Sequence, residues 1–161
     1  MKIIVACDSY KGCMTSAQVA DNITAAIHRV DPAIEVVSYT MADGGEGTAA
    51  AFCDACGGEM VEAATTNAYG RRISAQYALI EEGKTAVIEA AGCIGLAMHP
   101  REKRNPLMAS SFGVGTLMLD AQARGCRRII VGLGGTATND GGMGLLQSLG
   151  ARFYDEHHQY L

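Results

Sequence analysis

The chain has 161 residues, 13 basic and 17 acidic side chains and a formal charge of −4, with 48% hydrophobic but only 6% aromatic residues. That length and composition suit one soluble globular unit with a core of Ala, Val, Ile, Leu and Met. The mild acidity and the absence of a Lys/Arg run argue against a nucleic-acid partner, and the opening "MKIIVACDSYKG" holds too short an apolar run for a signal core or a membrane span. The expectation is a cytoplasmic protein with no membrane partner and reduced cysteines.

In chain order, "KIIVAC" (2–7) is a β-branched strand. "TSAQVADNITAAIHRV" (15–30) then places Ala20, Ile23, Ile27 and Val30 at helical spacing behind a Thr15-to-Gln18 capping box. Pro32 ends that helix, "IEVVSY" (34–39) is the next strand, and a glycine loop "ADGGEGT" opens a second helix that Gly57-Gly58 closes. "EMVEAATT" (59–66), "RRISAQYALI" (71–80) and "KTAVIEAA" (84–91) are strands joined by turns short enough for antiparallel hairpins, where the sheet becomes mixed. After the charged loop "PREKRNP", a helix starts at Ser110 or Ser111 and stops at Gly125, "RRIIVGL" is a buried strand, and "GLGGTATNDGG" leads through a short helix into a strand at "ARFYD".

These elements predict an α/β fold: a Rossmann-like three-layer unit with a mainly parallel sheet plus a hairpin-containing mixed-sheet region, divided internally near 58–106 from flanking β-loop-α units at 1–57 and 107–161.

Three strand-to-helix loops, 7–16, 41–48 and 132–142, should gather at the carboxyl edge of the strands, where open α/β sheets bind ligands. Each combines glycines with an acidic residue and precedes a helix N-terminus, a setting that favours phosphate and its metal. Lys11 is placed to neutralise phosphate oxygens, or else is a solvated loop lysine. Asp8, Asp43, Glu46 and Asp140 are the carboxylates of that edge, available to hold Mg2+ or take a hydroxyl proton; Asp43 and Asp140 are equally well placed as helix N-caps. Arg104 and Asn105 in "RNP" match a small carboxylate, although such an arginine is more often merely exposed.

Other chemistries fit less well. Gly132, Gly134 and Ala137 match G-x-G-x-x-A, but Asp155 follows too soon for a dinucleotide site. There is no P-loop, no G-x-S-x-G elbow and no His pair with metal-ligand spacing, and Cys53 and Cys56 form a C-x-x-C in an Ala-rich helix without a second ligand pair.

Together, "DSYKG", "ADGGEGT", "TNAYGR", "TAVIEAA", "RNP", "SSFGVGTL" and "GLGGTATNDGG" resemble, in this order, the bacterial glycerate kinase family of the glyoxylate and glucarate pathways, from residue 2 to about 154. The resemblance implies a two-domain α/β fold with a cleft, and transfer of the ATP γ-phosphoryl group to D-glycerate with Mg2+, commonly giving 2-phosphoglycerate. Cys7 and Tyr10 stand where the family has proline and phenylalanine. Family members are much longer, which implies that this portion lacks much of the cleft, is inactive by itself, and exposes surface that favours self-association into a homo-oligomer.

Carried over by position, Asp8, Ser9 and Lys11 form a phosphate or substrate group, Asp43, Gly44, Gly45 and Glu46 a second loop, and Gly134, Gly135, Thr136, Thr138, Asn139 and Asp140 a third. Asp43 or Asp140 would bind Mg2+, Asp8 or Asp140 would take the glycerate proton, and Arg104 would meet its carboxylate. The competing readings are a non-catalytic ligand-binding or oligomerising fragment and an NAD(P)-dependent oxidoreductase.

Overall fold

The computed structural model describes residues 1–10 and 12–160. Lys11, expected to neutralise phosphate, lies outside the described residues. Two sheets form where the sequence suggested one. β1 (Lys2–Cys7) and β2 (Glu35–Thr40) pair in parallel as a two-stranded sheet, while β3 (Glu59–Thr66), β4 (Arg72–Ile80), β5 (Thr85–Glu89) and β6 (Arg128–Gly132) form a second sheet in that order. In it, β3–β4 and β4–β5 are antiparallel and β5–β6 is parallel.

The crossover from β1 to β2 is helix α1 (Ser16–Val30), and the Thr15–Gln18 capping box is fully formed at its start. Only Ser16, Val19 and Ala20 of α1 are buried. Ile23 and Val30, expected on its core face, are exposed, Val30 to 87%. The later turns of α1 still reach β2 and the residue before it, through Thr24 to Ser38 and His28 to the Ile34 carbonyl, but a sheet of only two strands is too narrow to cover the whole apolar face of the helix.

The larger sheet is covered on both sides, which explains the continuous burial of Thr85–Ile88. Alternate residues point to opposite layers. Ala78, Ile80 and Val87 pack with Ala49 and Phe52 of α2 (Thr48–Cys56), whereas Tyr77, Leu79, Ala86 and Ile88 pack with residues of α3 (Ala91–Ile94) and α4 (Phe112–Ala123). This is the three-layer arrangement. Helix α5 (Met143–Ser148) lies against α4, close enough that a Cβ at Gly115 would meet the Leu145 carbonyl at 2.6 Å.

Several boundaries differ from expectation. "IEAA" turns from strand into α3 after Glu89, a 3-10 turn at Leu96–Met98 follows, and a second, Arg101–Lys103, structures part of what read as a charged loop. "ARFYD" forms no strand, only an isolated Tyr154–Tyr160 bridge, because no neighbouring strand pairs with it.

Candidate active site

Ser16 ties the first two loops together. Its hydroxyl donates to the Cys7 carbonyl at 2.5 Å and accepts the Met41 N–H at 3.2 Å, so the ends of β1 and β2 are held at the start of α1. The second and third loops meet backbone to backbone. Gly134 N–H donates to the Gly44 carbonyl at 2.9 Å, and a Cβ at Gly134 would lie 2.7 Å from Gly45 N. Much of the bare backbone that read as a phosphate cradle is therefore used to let two glycine loops touch.

What these contacts build is a cavity of about 260 Å3. Asp8, Ser9 and Gly12 come to it from the first loop, Asp43, Gly45 and Glu46 from the second, Gly135 from the third, and Leu96, Ala97 and Arg104 from the segment after α3. A second cavity of about 460 Å3 adjoins it between the first turn of α1 and α2, sharing Asp8, Ser9, Gly12 and Glu46 and adding Tyr10, Met14, Met41, Ala50 and Asp54.

Thr136, Thr138, Asn139 and Asp140 line neither cavity. The Gly135–Ala137 stretch is instead bridged to the end of α3: Leu96 N–H donates to the Gly135 carbonyl and Ala137 N–H to the Ile94 carbonyl, both at 2.8 Å. Asp140 is a clasp. Its Oδ2 accepts the Ser111 N–H at 2.7 Å, the Ser111 hydroxyl at 2.8 Å and the Gly144 N–H at 3.1 Å, and its Oδ1 accepts the Gly142 N–H at 3.1 Å. Burial raises its pKa, but these four donors outweigh burial and hold the carboxyl below the usual carboxylate range.

The expected helix caps are redistributed. Asp43 accepts Gly45 N–H within its own loop at 2.9 Å, and the N-cap of α2 is Gly47. The acceptor at α2 is Glu89, whose Oε1 takes the Ala49 N–H at 2.6 Å from the end of β5. Ser111 occupies the N-cap position of α4, yet its hydroxyl accepts the Leu145 N–H of α5 at 2.9 Å. Gly142, rather than Asp140, is the N-cap of α5. The N-termini of α1, α2 and α5 are thus already served by Thr15, Glu89 and Asp140, and the donors facing an incoming anion must come from loops and from Arg104. Glu89 was missed in the sequence because a cap contributed 40 residues away leaves no local pattern.

Asp8 accepts Ser9 N–H at 2.6 Å and Asp43 accepts Gly45 N–H at 2.9 Å, each through Oδ1, which orients both carboxylates and leaves a second oxygen on each. With Glu46 they give the cavity three hard oxygen donors. Among the described residues no three His, Cys, Asp or Glu side chains form a preformed cation cage. This donor set suits Mg2+, which binds through one or two carboxylates and keeps waters and substrate phosphates as its other ligands. All six cysteines are free thiols, Cys53 and Cys56 included, and no helix among the described residues is long and apolar enough to cross a membrane.

The glycerate kinase family model matches residues 3–161. The chain belongs to the glycerate kinase family. It is 43% identical over 155 residues to a glycerate kinase of Haemophilus influenzae, covering 96% of this chain and 41% of that protein. A glycerate 2-kinase of Escherichia coli matches at the same 43% over the same shares. The crystal structure of a Salmonella typhimurium LT2 protein described as glycerate kinase 2 superimposes with a TM-score of 0.81 at 39% identity, covering 100% of this chain and 43% of that one. The chain therefore spans about two fifths of the length of the relatives it matches.

Proposed function

We propose that the protein carrying this chain transfers the ATP γ-phosphoryl group to D-glycerate, giving 2-phosphoglycerate, with Mg2+ as cofactor. The observation that carries this reading is the single cavity in which Asp8, Asp43, Glu46, Gly135 and Arg104 meet from four separate segments; the named relatives support the kinase class and the substrate. Segment 58–106 and the flanking units 1–57 and 107–161 are read as parts of that one fold.

In this reading Arg104 receives the glycerate carboxylate through its planar guanidinium. Asp8 accepts the hydroxyl proton as the substrate oxygen forms its bond to the γ-phosphorus and ADP leaves. Asp8 is preferred to Asp140 as the base because Asp140 already accepts four hydrogen bonds away from the cavity. Asp43 and Glu46 would hold Mg2+, which would neutralise phosphate charge when bound. Lys11 enters through its place in the first glycine loop and through the family resemblance, as a second cation for the phosphates.

The test is ADP release dependent on D-glycerate and Mg2+, measured on this chain and on the chain continued to the family's full length, with the product resolved by phosphorus NMR. Turnover by the longer chain alone, with a signal for phosphate on the 2-hydroxyl, is expected. Asp8→Asn in the longer chain is expected to lower kcat by about 10^2-fold or more. ADP release that ignores D-glycerate sinks the substrate assignment, and NADP binding in place of ATP would favour the oxidoreductase reading.

A further inference from the structure

The "TNAYGR" turn has no part in the cavity, yet it reaches the residue that does. Asn67 builds the turn between β3 and β4: its Oδ1 accepts the N–H groups of Tyr69 and Arg71, both at 3.0 Å, and Gly70 supplies the left-handed φ of 75° that closes it. Ala68 is fully buried and its carbonyl accepts Ser110 N–H at 2.8 Å, fixing the turn against the entry to α4. Tyr69, half-buried on this rigid platform, makes two contacts with the segment that carries Arg104. Its hydroxyl oxygen accepts the Asn105 N–H at 2.8 Å, and its ring meets His99 edge-on with centroids 4.7 Å apart.

Those contacts bracket Arg104. The guanidinium Nε donates to the His99 carbonyl at 2.9 Å, so one face of the side chain is anchored to the residue Tyr69 packs against, while the next residue along is bonded to Tyr69 itself. The other end of the segment is pinned by the bond from Leu96 N–H to the Gly135 carbonyl. With Nε committed to a backbone oxygen, the two terminal nitrogens keep the fork that matches a carboxylate.

We propose that Tyr69 is a positioning residue for the acidic end of the substrate: it sets the 99–105 segment so that Arg104 presents its terminal guanidinium nitrogens to a carboxylate in the cavity. This rests on the reading of Arg104 as the carboxylate partner. Nε2 of His99 is buried with no partner among the described residues, so that nitrogen adds no hydrogen bond to the segment, while the ring packs edge-on against Tyr69. An aromatic turn residue thus acts on specificity, acid over neutral polyol, without touching the ligand.

The test uses the nitrogen-15-labelled protein in which this chain is continued to the family's full length, and two readouts. The first is hydrogen exchange at Arg104 Nε–H, which the His99 carbonyl slows. Tyr69→Phe keeps the ring and removes the hydroxyl oxygen, and is expected to speed that exchange by about fivefold, the factor one net hydrogen bond supports. His99→Phe keeps the ring edge and is expected to stay within about twofold of the parent chain. Unchanged Arg104 exchange in Tyr69→Phe overturns the proposal, as does an effect of His99→Phe equal to that of Tyr69→Phe.

The second readout is titration with D-glycerate and with glycerol, followed at the Arg104 resonances. D-glycerate is expected to shift them and glycerol to leave them in place, with Tyr69→Phe weakening D-glycerate alone by about fivefold. If D-glycerate fails to move Arg104 while Tyr69→Phe still releases its Nε–H, the carboxylate reading fails and the link from Tyr69 to Arg104 stands. If D-glycerate binds the Tyr69→Phe chain as it binds the parent, the specificity role of Tyr69 is wrong although Arg104 is the right partner.

Discussion

The two sheets differ in how they are held. The four-stranded sheet lies between helices on both faces, and its cluster runs from Ala63 to Cys126 with Tyr77, Ile88, Val114 and Leu117 almost wholly buried. The two-stranded sheet and α1 contribute only Val5, Val19 and Ala20 to the buried apolar set, and leave Ile4 63% and Tyr39 55% exposed. Parallel strands are normally covered on both faces, so the smaller sheet has little packing to hold it beyond its strand ladder, its capped helix and the Ser16 clamp. The cavity draws Asp8 and Ser9 from the weakly packed side and Arg104 and Gly135 from beside the well-packed one. A site built across such a boundary gains mobility on one wall and rigidity on the other.

Truncating the strong side is expected to have the largest effect. Leu117→Ala should cost about 2–5 kcal/mol in urea unfolding, whereas Ile4→Ala on the small sheet should stay within about 0.5 kcal/mol. Similar costs at the two positions would break the contrast. Amide hydrogen exchange sharpens it without mutation: the amides of β4 and β5 should exchange roughly hundredfold more slowly than those of β1 and β2, a difference of about 2.7 kcal/mol in opening free energy.

Acid should act mainly on the larger unit. Tyr77 hydroxyl and Arg124 Nε both donate to Asp120 Oδ2 at 2.7 Å; burial pushes the Asp120 pKa up, and these two donors overcome it to leave the carboxyl lowered, as Asp140 is. A carboxyl whose folded pKa lies below its unfolded value near 4 contributes stability above that pH and loses it as pH falls through the folded value. The urea midpoint should therefore hold from neutral pH to about pH 4 and drop below it. Asp140→Asn should lower stability by about 1.5–3 kcal/mol at neutral pH and flatten that acid limb; a midpoint unmoved by the substitution would mean the clasp contributes nothing.

A smaller effect is expected where the two glycine loops join the halves. Gly134→Ala should cost about 1–3 kcal/mol, because its Cβ meets Gly45 backbone that cannot rotate away. It should also shift the amide resonances of both loops. Shifts confined to the 132–142 loop would show that the two loops are not coupled.

Local chemistry was legible in the sequence because it depends on neighbours. The Thr15–Gln18 box starts α1 where expected, the Asn67–Gly70 turn falls between β3 and β4, and the β-branched run at 2–7 and the strand-like run at 59–66 form strands over those same residues. The motifs, read in order, were also enough to point to the family that the comparisons show. Acidic residues next to glycine loops were singled out as features of one edge; Asp8, Asp43 and Glu46 come to one cavity, Asp140 does not, and their jobs were not legible. Asp43 and Asp140 both read as caps or metal ligands, and nothing local separates a carboxylate on a cavity wall from one saturated by Ser111 and two glycine amides.

The sequence by itself determined most of the elements, the Thr15–Gln18 cap, the Asn67–Gly70 turn and the family, since hydrophobic period and backbone preference act over a few residues. Only the tertiary structure decided that the sheet divides in two, that Gly134 meets Gly44, that Glu89 caps a helix from a distant strand, and that Tyr69 braces the segment bearing Arg104. Each of those joins residues tens of positions apart, and such contacts are fixed by which faces must be buried together rather than by any local preference.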